Sequence, residues 1–134
     1  MANFRIYVEK RPAFQVEARS LKNELNENLQ LHLQSLRYIN VYALFGFTPA
    51  LLEQCRYSVF GETVTDTVSD ECDLTGTPYL AVEYLPGQFD QRASSAVDCV
   101  HLIDPKAEVE IRSSRLLIFD SAVTPAELDK IRRY

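Results

Sequence analysis

TPALLEQCRY (residues 48–57) returns at the end of the chain as TPAELDKIRRY (124–134), and the pair decides how the whole sequence is read. Each copy opens on Thr-Pro. A threonine hydroxyl caps a helix N-terminus, and proline suits the first helical position, where its missing N–H removes no bond. Thr48 and Thr124 therefore predict two short helices. Leu51, Leu52 and Cys55 face inward in the first, and Leu128 and Ile131 in the second. Glu127, three residues after Thr124, completes a capping box.

Working outward, the same elements precede both copies. Phe4, Ile6 and Val8 alternate with polar residues, the period of a half-buried strand. After Pro12, Phe14, Ala18, Leu21, Leu25 and Leu29 lie on one helical face. A second strand follows in LRYINVYALFGF, with Ile39, Val41, Ala43 and Phe45 on one side, and ends at Gly46. From residue 79, YLAVEY is a strand broken by Pro86, and a helix from Phe89 carries Ala93, Ala96, Val97, Val100 and Ile103. AEVEIRSSRLLIF is a long strand whose apolar register shifts at Ser113-Ser114, which predicts a bend or bulge there.

Individual residues recur in order. Val8-Glu9 returns as Val82-Glu83, Phe14 as Phe89, and Arg56-Tyr57 as Arg133-Tyr134, at slowly growing offsets. The expected fold is α+β, made of two β-α-β-α units (about 1–57 and 79–134) that form one ferredoxin-like antiparallel sheet with helices packed on it. Each unit is too small to close a core alone, and two related by a pseudo-two-fold axis do so as a dimer would. Residues 58–78, polar and without a clear period, read as a long surface connector.

With 134 residues, 46% of them apolar, and a net charge of −5, the chain has the make-up of one globular domain. The acidic balance, with no basic cluster beyond Arg132-Arg133, argues against nucleic acid and anionic membranes as partners. Charged residues from Arg5 to Arg11 interrupt any signal-peptide core, and no run is long enough to span a membrane. Cys55, Cys72 and Cys99, odd in number and far apart, read as reduced thiols of a cytoplasmic protein.

Motifs for chemistry are sparse. Four glycines supply neither a phosphate loop nor a dinucleotide fingerprint, and no nucleophile elbow is present. His32 and His101 lack partners at a diagnostic spacing, and Cys99-Val100-His101 is too tight for a zinc pair. The acidic run Asp70, Glu71 and Asp73 lacks the pattern of a calcium loop and reads as solvated. No catalytic or metal-ligating residue is assigned. Interest falls on PGQFDQRA (86–93), where Gln88, Asp90 and Arg92 meet at a strand-to-helix junction. Asp90 there reads as a helix cap or as a contact group, and the corresponding KRPAF (10–14) offers only Lys10 and Arg11.

FRIYVEKRPAFQVEARSL, RYINVYALFGFT, FGETVTDTV and VEYLPGQFDQRASSAVDCV together resemble the N-terminal region of phosphoribosylformylglycinamidine synthase in its long, single-chain form. The resemblance runs over essentially the whole chain, and PGQFDQRA is its most specific motif. It implies a fused, internally repeated version of the small PurS subunit. The family enzyme uses ATP, magnesium and glutamine to make formylglycinamidine ribonucleotide in purine biosynthesis. Its catalytic motifs lie in glutaminase and synthetase domains outside these residues, so no cofactor is expected in this domain. The resemblance implies a scaffold that aligns those two domains and helps shape an ammonia path. Gln88, Asp90 and Arg92 are then the candidates for interdomain or ammonia-path contact, with self-association allowed for where partner-facing apolar surface is exposed. The alternative expectation is a small-molecule-binding regulatory module with its site in the cleft between the halves.

Overall fold

The computed structural model describes residues 4–62, 65–72, 77–83, 88–120 and 123–133. Pro86-Gly87, Asp73 and Tyr134, which entered the sequence reading, lie outside the described residues. The fold is α+β. Strands β1 (Phe4–Lys10), β2 (Leu36–Phe45), β3 (Asp66–Ser69), β4 (Tyr79–Glu83) and β5 (Glu110–Phe119) form one open sheet in the order β3-β1-β2-β5-β4, and every pairing is antiparallel. Helices α1 (Val16–Asn28), α2 (Pro49–Cys55), α3 (Gln91–Ile103) and α4 (Pro125–Arg133) complete the described elements, apart from a short 3₁₀ turn at Pro12–Phe14 and a π-helical turn at Arg56–Phe60.

Two core clusters lie between the sheet and the helices. Over β1 and β2, Ile6, Val8, Tyr42 and Leu44 pack with Leu52 and Cys55 of α2 and with Ala93, Ala96 and Val100 of α3. Over β5 and β4, Leu117 and Phe119 pack with Leu25 of α1 and Ile131 of α4, while Leu80 is partly covered. Each long helix packs on the strand that follows it and also reaches strands of the other half, which ties the two ends of the chain into one body. On the opposite face Ile39, Val41, Leu116 and Ile118 form a third buried cluster, against which Tyr7 and Cys72 pack.

Both Thr-Pro starts form as the sequence predicts. Thr48 Oγ1 accepts from Leu51 N–H at 3.1 Å, and Leu51, Leu52 and Cys55 are buried. At α4 the capping box is reciprocal: Thr124 N–H donates to Glu127 Oε1 at 3.0 Å, and Glu127 N–H to Thr124 Oγ1 at 3.2 Å.

Three expectations need correction. The β2–β5 ladder runs unbroken from Leu36↔Phe119 to Phe45↔Glu110, so β5 has no bulge at Ser113-Ser114. The apolar pattern shifts there because Leu116 to Phe119 are buried on both faces of a central strand, whereas Ser113 is buried through its bonds to Asp90. The 58–78 segment is not a bare connector, since it carries β3 on the free edge of β1. Its strand period is disguised by Asp66, a buried carboxylate that pairs with Lys10 at 2.8 Å and accepts from Glu62 N–H at 2.9 Å. Lastly, Phe14 and Phe89 precede their helices and stand 41% and 72% exposed.

Gly46, which ends β2, has φ 79°, and a Cβ there would run into the Glu108 carbonyl. Both the left-handed backbone and the backbone contact oppose a side chain. Gly46→Ala is expected to cost about 2 kcal/mol, read from the urea midpoint.

Burial pushes the Cys55 thiol above its ordinary pKa. Below the ordinary thiol value both states are protonated and the stability is complete. Above it the unfolded chain sheds the proton first, so stability falls as pH rises, by at most about 1.4 kcal/mol per unit. Urea unfolding at pH 8 and pH 10 checks this, with Cys55→Ala expected to show the shallower decline.

Candidate functional site

The junction before α3 is built around Asp90. Its Oδ1 accepts from Ala93 N–H at 3.0 Å, capping the helix, and from Ser113 Oγ at 2.6 Å. Its Oδ2 accepts from Ser113 N–H at 2.8 Å. Three donors from two elements therefore converge on one carboxylate, and the start of α3 is fastened to the middle of β5. A carboxylate suits this place because it only accepts. Gln88, two residues upstream, is exposed at the surface beside this anchor.

Arg92 turns the other way, into an open crevice of about 590 Å³ on the helix-bearing side of the sheet. Glu17 from α1, Tyr38 and Tyr42 from β2, Arg115 from β5, and Gln91, Ser95 and Cys99 from α3 share its lining. Arg92 Nη1 donates to Tyr42 Oη over a long 3.5 Å. Burial works against the charge of Arg92, but the Tyr42 hydroxyl and the negative field of Glu17 outweigh it and hold the guanidinium above its ordinary pKa. Tyr38 is pushed up chiefly by burial, with Arg115 opposing and Glu17 adding to the rise. Both crevice tyrosines thus stand beside an arginine, and Tyr38 keeps its proton well into the alkaline range.

The structure therefore separates the three sequence candidates. Asp90 is an internal fastener, Gln88 faces outward, and Arg92 belongs to the crevice. Glu17, Tyr38, Tyr42 and Arg115 escaped the sequence reading because no local motif joins residues on α1, β2 and β5. Their one signal is positional: Glu17 and Arg92 each stand second in a 13-residue helix.

Asp70 and His101 have structural partners. Asp70 pairs with Arg56 at 2.9 Å. His101 Nε2 lies 3.0 Å from the Ala107 carbonyl, closing the loop between α3 and β5. Cys55, Cys72 and Cys99 form no disulfide and are respectively buried, half-buried and exposed. No described helix is long and apolar enough to cross a membrane. Comparison of the chain with protein-family models, with curated proteins and with solved structures returned no match.

Proposed function

We propose that this chain is an internally duplicated, PurS-like domain that acts as a non-catalytic scaffold of a glutamine- and ATP-dependent ligase making formylglycinamidine ribonucleotide. The observation that carries the duplication is the sheet register. Equating β1 with β4 at an offset of 74 residues, and β2 with β5 at 75, turns the pair Val8↔Asn40 into the pair Val82↔Arg115. Each residue then also keeps its face of the sheet. The central β2–β5 ladder maps onto itself about Asn40↔Arg115, as a two-fold axis through that pair requires.

The helices follow the same operation. Ala18, Leu21 and Leu25 of α1 correspond to Ala93, Ala96 and Val100 of α3. Phe47, Leu52 and Cys55 correspond to Val123, Leu128 and Ile131, so one helix-side core cluster is transformed into the other. Even the helix-ending bonds correspond, Leu29 N–H to the Leu25 carbonyl and Asp104 N–H to the Val100 carbonyl. Common secondary structure alone would not bring register, face and core partners into agreement at once.

The scaffold role rests on the resemblance carried by VEYLPGQFDQRASSAVDCV, to which the junction geometry adds detail. A lining for ammonia is best polar and not acidic, because an open carboxylate would hold ammonium. Asp90 meets that condition by having its oxygens bonded within the fold, while Gln88 is an exposed residue beside it. Gln88→Ala in the parent enzyme is expected to lower glutamine-dependent turnover about tenfold and leave ammonium-dependent turnover unchanged. Equal rates with glutamine would remove Gln88 from the path.

One observation favours a second reading, a small-molecule regulatory module: the crevice lies between the N-terminal parts of α1 and α3, where the two halves meet.

A further inference from the structure

We propose that the crevice between α1 and α3 is a binding site for a small carboxylate, held between Arg92 and Arg115. The ion pairs of the described residues engage Arg37, Arg56, Arg112, Arg132 and Arg133 with carboxylates, along with Lys10. Arg92 and Arg115 enter none of them. Their hydrogen-bonding neighbours in the crevice are tyrosine hydroxyls, Tyr42 for Arg92 and Tyr38 for Arg115, with the Glu17 carboxylate acting on Arg92 through its field. Two guanidiniums bonded, among the described residues, only to neutral hydroxyl acceptors, in a cavity large enough for a small molecule, are arranged to receive an anion from outside.

Charge selects the kind of anion. Arg92 and Arg115 bring two positive charges and Glu17 one negative, so the crevice is net positive by one on a chain whose net charge is −5. A single carboxylate neutralises it. A phosphate dianion would leave it negative beside Glu17, with repulsion added. Each guanidinium offers the planar fork that matches a carboxylate, and the hydroxyls of Tyr38, Tyr42 and Ser95 supply further donors. The site is independent of the scaffold reading, since it requires no second domain.

The test is a ¹H–¹⁵N NMR titration of the 134-residue chain with acetate, succinate and inorganic phosphate, at ionic strength held constant with sodium chloride. The expected result is saturable shifts confined to residues lining the crevice, with the monoanion acetate preferred over the dianions succinate and phosphate. Arg115→Gln should weaken acetate binding by at least about tenfold, and Glu17→Gln should strengthen it by about threefold to tenfold. Both side chains are exposed, so the variants should keep the wild-type spectrum elsewhere. Shifts that never saturate, or a response unchanged in Arg115→Gln, would overturn the site. Preference for phosphate would overturn the carboxylate assignment. None of these results bears on glutamine-dependent turnover of the parent, so failure here and failure of the scaffold reading are separable.

Discussion

Asp90→Ala is expected to destabilise the fold by about 3 kcal/mol. The substitution removes the cap of α3, for which about 1 kcal/mol is typical. It also strips the acceptor from Ser113, whose N–H and hydroxyl both bond to Asp90 and which is only 7% exposed. A buried donor left without a partner costs about 1–3 kcal/mol. Since a domain of this size is stable by about 5–15 kcal/mol, the loss is a large share of the whole. Asp90→Asn keeps the size but places an amide NH₂ on one side of the group. If Oδ2 is replaced, two donors face each other at Ser113 N–H; if the amide is flipped, the clash moves to Ala93 N–H. The amide is therefore expected to recover less than half of the loss. Denaturant unfolding of both variants reads the difference, and Ser113→Ala combined with Asp90→Ala should fall short of the sum, because the two share a bond.

Phe119→Ala should have a still larger effect, about 4 kcal/mol. Phe119 is 2% exposed at the end of a central strand, in the cluster where α1 and α4 meet the sheet. Its own N–H is bonded to the Pro78 carbonyl at 2.9 Å, so the backbone is pinned at the entry to β4 and cannot follow the missing ring inward. The cavity therefore stays open. Its counterpart across the proposed two-fold is Leu44, which is 0% exposed in the other cluster, and Leu44→Ala should cost about 3 kcal/mol. Thermal and urea unfolding of the two variants measure both values.

The regular parts of the fold were legible because their signals are local. Alternation marked β1, and Thr48-Pro49 and Thr124-Pro125 marked the starts of α2 and α4. β3 was not, because Asp66 occupies an inward position and reads as surface until Lys10 is seen beside it. The Ser113-Ser114 step looked like a bulge because a strand buried on both faces does not alternate, and a serine satisfied by a distant aspartate looks out of register. Phe14 looked like a core residue and Phe89 like a helix start by spacing, yet each precedes the N-cap of its helix, Gln15 or Asp90.

The candidate site divides in the same way. Asp90 was legible as a cap from its place before a helical run, but its second role needed β5 to be folded against α3. Glu17, Tyr38 and Arg115 sit among ordinary polar residues of a helix face and two strands. Only the sheet order, which sets β2 beside β5 under α1 and α3, brings them to one crevice.

In the proposed function this domain couples the two halves of a glutamine-dependent synthesis. The direct measurement takes the parent ligase without residues 1–134 and adds the chain back in trans, following product with glutamine and, separately, with ammonium as nitrogen donor. The account predicts that deletion abolishes the glutamine-dependent reaction while the ammonium-dependent one survives, and that the added chain restores the former. Full activity with glutamine in the absence of the domain would contradict it.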